Sequence, residues 1–280
     1  MLNNRITINS LLVNDHLSVL LSNHSQSNSN YTAKEYDVLG NYYLHQHDME
    51  NAINSYTESL SINLNNFGFT HSKTAKSYYN LAHTYFVAQK LKEALPLYEK
   101  ALEIREKVFG IGDEKSVEVY HALAHLYFAK KNLKKASLYY RKTLHIYLNL
   151  FGEYHLQTAE AYYDLGYFYF SSGEFEHALP LFTSASKIKE KLLDANHLSL
   201  AKNYHKLGIC HYYLFEYQEA YNYLNKTVII KKSLLNHKNS SLRTAIVNLK
   251  EVEKILKKET KLTLWKKLLN TLLNYFSKLL

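Results

Sequence analysis

Residues 75–110 read AKSYYNLAHTYFVAQKLKEALPLYEKALEIREKVFG. In the first half Tyr78, Leu81, Ala82 and Tyr85 follow one another at helical spacing, which puts them on one face. Ala94, Leu95, Tyr98, Ala101 and Leu102 make the same kind of stripe in the second half. Working outward, the pattern returns every 42 residues without an insertion: Ala52, Ala94, Ala136, Ala178 and Ala220, then Leu39, Leu81, Leu123, Leu165 and Leu207. Tyr36, Tyr78, Tyr120, Tyr162 and Tyr204 form a third column, and the residue after each leucine is small: Gly40, Ala82, Ala124, Gly166, Gly208. Two more aromatic columns follow, Tyr43, Tyr85, Tyr127 and Tyr169, and Tyr56, Tyr98, Tyr140 and Phe182. The small residues mark close approaches between two helices, and the tyrosines fill the wider gaps beside them. Each unit is a helical hairpin, and a chain of such hairpins buries its apolar faces only against its neighbours, as an elongated stack.

The columns resemble the tetratricopeptide repeat. Taking Ala33 as the first position, Tyr36, Leu39, Gly40, Tyr43, Ala52, Tyr56 and Ser59 fit its signature, while Leu64 replaces the proline that usually ends the unit. Without that proline the second helix is expected to run on to Phe67-Gly68, Phe109-Gly110 and Phe151-Gly152, where glycine suits a helix C-terminus. The 42-residue form, with its run ALEIREKVFG at 101–110, is similar to the kinesin light chain type of repeat. The resemblance implies an all-α, right-handed α-solenoid of antiparallel helical hairpins over residues 31–240, with capping helices at both ends. It implies a protein-protein interaction scaffold rather than an enzyme.

Composition agrees. Eight glycines and two prolines are too few for an all-β fold, and Cys210, the single cysteine, excludes an internal disulfide framework and suits a reducing compartment. No secretion signal and no spanning apolar run is apparent, so the expected location is cytoplasmic, with peripheral membrane attachment as an alternative. Twelve of the 26 tyrosines stand in the repeat columns, so tyrosine richness is structural and not a functional clue. The net charge of +9 is unevenly placed: residues 226–280 hold 13 basic against 3 acidic side chains, leaving 21 against 22 elsewhere. A near-neutral repeat region argues against nucleic acid as its partner.

In this family the first helix of each unit lines the concave side. On that basis Lys76, Tyr79, Asn80 and His83, then His121 and His125, then Tyr163, Asp164 and Tyr167, then Lys202, His205 and Lys206 are expected to form a groove for a peptide or partner segment. Asn80 matches the asparagine that commonly bonds a peptide backbone in kinesin-light-chain-like repeats, whereas Ala122, Asp164 and Lys206 replace it further on. Glu118, His121 and His125 share one helical face, a spacing able to supply zinc ligands. One helix seldom completes a coordination shell, so these histidines are read as groove lining that charges below about pH 6 to 7, with no metal and no cofactor expected. A metal-dependent enzyme is a remote alternative.

The two ends differ in kind. Residues 6–21 are expected to form a helix over the first repeat, joined by the polar stretch 22–30, the two together making an N-terminal segment, 1–30. At the other end, over 241–260, Leu242, Ala245, Ile246, Leu249, Val252 and Leu256 make a capping stripe with Lys250 where a small residue belongs. The last segment is 261–280, and over 262–280 Leu262, Leu264, Trp265, Leu268, Leu269, Leu272, Leu273, Tyr275, Phe276, Leu279 and Leu280 fall in one half of a helical wheel. Thr, Asn, Ser and three lysines, Lys266, Lys267 and Lys278, hold the other half, without an acid. Such a surface suits packing on the solenoid, self-association, or an anionic membrane surface.

Overall fold

A computed structural model describes the backbone of residues 31–276 and the side chains through residue 271. The helix expected over 6–21, the stretch 22–30, Lys278, and the side chains of Leu272 and Phe276 lie outside the described residues. Among the described residues the regular structure is eleven helices: α1 (Ala33–His45), α2 (Met49–Phe67), α3 (Ser72–Val87), α4 (Leu91–Phe109), α5 (Glu114–Ala129), α6 (Leu133–Phe151), α7 (Leu156–Ser171), α8 (Phe175–Leu192), α9 (Leu198–Tyr213), α10 (Tyr217–Leu234) and α11 (Ser240–Phe276). Five hairpins and a final helix make an all-α solenoid, and the helices divide into two compact units between Ile146 and Tyr147.

Local chemistry fixes each hairpin. A capping box opens α1: the Glu35 N–H donates to Thr32 Oγ1, and the Thr32 N–H donates to the Glu35 carboxylate at 2.8 Å. The turn inside each hairpin needs one left-handed residue, and it recurs at the repeat spacing as His47, Gln89, Lys131, Gly173 and Phe215. In the second hairpin the Lys90 N–H reaches back to the Tyr85 carbonyl at 2.9 Å, and the Gln89 N–H to Phe86 at 3.0 Å, which closes α3 as a Schellman motif.

Between hairpins the Phe-Gly stops behave as their sequence predicts, with φ of 74°, 90° and 77° at Gly68, Gly110 and Gly152. A hydroxyl from the next helix, Thr74, Ser116 or Thr158, donates to each glycine carbonyl at 2.8 Å. The helices α8 and α10 end differently: Leu193 and Leu235 leave them in extended conformation, so no glycine is required there.

Packing follows the columns. Tyr56, Tyr98, Tyr140 and Phe182 are at most 2% exposed and press on the small residue of the first helix. A Cβ added to Gly40 would stand 2.7 Å from the Tyr56 ring, and one added to Gly208 would stand 2.7 Å from Leu224 Cγ. At these two glycines even a methyl group would force the neighbouring side chain to shift, and the loss of one such aromatic would leave a cavity costing roughly 3–5 kcal/mol.

The sequence divides 241–260 from 261–280, but the structure has one continuous 37-residue helix, α11, about 55 Å long. No glycine or proline interrupts it; what changes near residue 260 is the side that carries the apolar residues. Ala245, Leu249 and Val252 seal the repeat against α10, joining Ala220, Leu224 and Val228, and Leu242 one turn earlier is also buried. Lys250, in the column of small residues, is exposed, and among the described residues no helix follows α11 to press on it. Every described residue from 257 to 271 is exposed, so the arrangement in which this segment packs back onto the repeats is not the one adopted. Among the described residues no helix is long and apolar enough to cross a membrane.

Candidate functional site

In the first unit, α3 and α5 present the expected groove residues beside a cleft of about 370 Å³ bordered by Lys73, Lys76, Tyr79, Asn80, Arg105 and Glu118. Lys76 and Asn80 sit at its surface, Lys76 reaching Asp37 at 3.3 Å. Tyr79 serves the packing as well, meeting Tyr98 edge-on at 5.7 Å while the Arg105 guanidinium lies 4.8 Å from its ring centre. His83 stacks on Tyr79, and burial lowers its pKa, so it resists charging in mildly acidic solution.

Glu118, His121 and His125 are not assembled as three ligands. Glu118 bonds Arg105 at 2.9 Å instead, while His121 and His125 approach each other through their Nε2 atoms at 3.1 Å and His125 Nδ1 meets the Tyr140 hydroxyl at 2.9 Å. The hydroxyl of Tyr140 thereby gains a partner inside the hairpin, as that of Tyr56 does from Asn41 at 2.9 Å.

In the second unit Tyr163 is mostly covered by Phe182 and Lys189, which makes it a packing residue more than a contact surface. Tyr167, 37% exposed, runs nearly parallel to Tyr163, and Asp164 is half-buried on the same helix. The Lys206 ammonium lies 4.6 Å from the Tyr167 ring centre and 4.1 Å from that of Phe170, a cation on an aromatic pair. His205 accepts or shares a hydrogen bond with Asn248 at 3.0 Å, and burial followed by the charges of Lys231 and Lys206 holds its pKa down at about 4. Lys202 is exposed. Cys210 is fully buried and burial pushes its thiol up to about 12, which leaves it a packing residue.

Sequence reasoning missed a second column beneath these faces. Arg105, Lys189 and Lys231 share one repeat position on the second helices and are 6%, 1% and 3% exposed. Each points toward the adjoining first helices. Arg105 donates to the Lys115 carbonyl and to Glu118; Lys189 pairs with Glu160 at 2.9 Å. Lys231 keeps the same backbone contact, donating to the Ser241 carbonyl at 3.2 Å and its hydroxyl at 2.7 Å. The acid is missing, because the column of Glu118 and Glu160 continues as Lys202 and Thr244. Burial, and then the Lys202 charge, lower the Lys231 pKa. The signal available in sequence was a basic residue recurring at one spacing, although IKEK and IKKS resemble ordinary exposed lysine runs.

The tetratricopeptide repeat model matches residues 30–107, 73–149, 116–191 and 157–233. No curated protein matches the sequence. Among solved structures, BtubC (BKLC) from P. vanneervenii is similar at 22% identity and a TM-score of 0.66, over 74% of this chain and 82% of that one. The putative kinesin light chain repeats of Podosopora anserina are similar at 19% identity and a TM-score of 0.64, over 74% of this chain and 100% of that one. The apo form of RapI is similar at 17% identity and a TM-score of 0.63, over 81% and 86%. At such identities the likeness is one of fold.

Proposed function

Because the chain belongs to the tetratricopeptide repeat family, we propose that it is a non-catalytic interaction scaffold holding an extended segment of a partner protein along its first-helix faces. The reading rests on the cleft between α3 and α5, where Lys76 and Asn80 stand at the surface over an aromatic and guanidinium floor. Helices about 10 Å apart pass about three residues of an extended chain, at about 3.3 Å each, from one repeat to the next. Asn80 carries both a donor and an acceptor, the pair that a peptide backbone requires. Glu118 and Glu160 are engaged by buried cations, and Cys210 is sealed in the core, so these three groups are held in structural roles.

The test uses a partner recovered from the native host with the full chain. Asn80→Ala combined with Lys76→Ala should weaken its capture about tenfold, a loss of one or two hydrogen bonds, without moving the midpoint of urea unfolding. Unchanged capture by a folded double variant would sink the groove reading. Tyr163 is unsuitable for this purpose because its ring is part of the packing around Phe182.

A further inference from the structure

The exposed part of α11 carries two chemistries on one side. Counting about 100° per residue, Lys250, Lys254, Lys257, Lys258 and Lys261 lie along a single stripe, and all but the spacing residue Glu253 in the shallow groove they border are basic. Leu262, Leu264, Trp265, Leu268 and Leu269 continue the same stripe, each between 51% and 69% exposed. The stripe that seals the repeat, Leu242, Ala245, Leu249 and Val252, lies about 160° away round the helix. The basic and apolar surface therefore faces away from the repeats by construction, and bending the helix back would present its polar side to them.

We infer that this face of α11 docks on an anionic lipid surface, with Trp265 and the leucines in the acyl boundary and the lysines among the headgroups. The inference is independent of the groove. Charge complementarity selects the occupant. A second copy placed in parallel would set five lysines against five lysines, and one placed antiparallel would set lysines against Trp265 and the leucines, burying unpaired charge either way. An anionic bilayer offers both layers in the order in which the helix carries them: negative charge at the surface and hydrocarbon beneath. Glu259 falls on the other side of the helix, and Glu251 is held by the Tyr212 hydroxyl at 3.0 Å.

Trp265 is the only tryptophan in the chain, so its fluorescence reports this face alone. The full-length protein is titrated with vesicles of phosphatidylcholine and with vesicles containing a quarter phosphatidylglycerol. The expected result is a blue shift of Trp265 emission and flotation with the anionic vesicles, quenching by acyl-brominated lipid, and weakening of both by salt. Lys257→Gln, Lys258→Gln and Lys261→Gln together should lower partitioning about 100-fold, at roughly fivefold per lysine. Leu268→Ser with Leu269→Ser should abolish the blue shift, and since neither leucine touches the repeats the circular dichroism of the protein should be unchanged. The inference is overturned by the absence of shift and flotation on anionic vesicles, by equal binding of the triple lysine variant, or by a concentration-dependent dimer in light scattering that dissociates in the leucine variant without any vesicle binding.

Discussion

The Lys231 ammonium donates to the Ser241 hydroxyl at 2.7 Å and the Ser241 carbonyl at 3.2 Å, at the repeat position where Arg105 donates to the Lys115 carbonyl and also finds Glu118. Two cations of one column thus occupy the same structural seat with and without a counter-charge. Lys231→Met should raise stability by about 1–2 kcal/mol, because it removes a charge that was desolvated without an acid to repay it. Arg105→Met should lower stability by about 2–3 kcal/mol, less than a fully buried pair would lose because Glu118 is half exposed. Urea unfolding followed by circular dichroism checks the opposite signs.

His205 supplies a pH dependence. Its pKa is held at about 4 in the folded protein, below the ordinary histidine value of 6.5. Between these values the unfolded chain binds a proton that the folded one refuses. Stability from this group is therefore complete above pH 6.5 and falls as pH drops toward 4, by at most about 3 kcal/mol. His205→Gln, which can still bond Asn248, should flatten this part of the acid limb in a comparison of thermal midpoints across pH. An identical slope in the variant would reject the assignment.

Tyr98 is the exception in its column. Its hydroxyl is buried without a partner, whereas that of Tyr56 donates to Asn41. Tyr98→Phe should be neutral or stabilise by up to about 1 kcal/mol, and Tyr56→Phe should cost about 1 kcal/mol. The fourth repeat already has Phe182 in this place, fully buried. Denaturation midpoints of the two single variants decide it.

Glycines of the small-residue column differ in what surrounds them. Alanine gains about 1 kcal/mol of helix propensity over glycine, and at Gly166 the nearest ring atom would lie 3.1 Å from the new Cβ, so Gly166→Ala should be close to neutral. At Gly208 the Cβ would meet Leu224 Cγ at 2.7 Å and the Leu224 backbone nitrogen at 3.2 Å. Backbone does not yield as a ring does, and Gly208→Ala should lose about 1–2 kcal/mol net. Thermal melts of the pair would show whether their order is reversed.

The hairpins were legible because Leu39 to Leu207 and Ala52 to Ala220 repeat without slippage, and the glycine stops because Gly68, Gly110 and Gly152 are the residues that most readily take positive φ. Burial of individual charges was not legible. Whether Lys189 and Lys231 are surface or interior depends on which neighbouring helices close over them, and their local sequence says nothing of that. The expected groove set mixed two populations for the same reason: Lys76, Asn80 and Lys202 face outward, while Tyr163, His83 and His205 are occupied inside the packing. In α11 the wheel sorts the apolar residues of 262–271 into one half, but their direction relative to the repeats required the unbroken helix that joins them to Leu249.

Lys250 also bears on how far such a protein can grow. In every complete hairpin the equivalent residue, from Gly40 to Gly208, receives a second helix, and open-ended repeat arrays can in principle recruit that helix from another molecule and concatenate into filaments. At residue 250 a long, charged side chain stands in that seat and is exposed, which disfavours the same close approach. The residue that interrupts the column therefore marks where the close-packing rule of the hairpins stops: helix α11 presents a charged side chain at the place where each earlier first helix presents a small one.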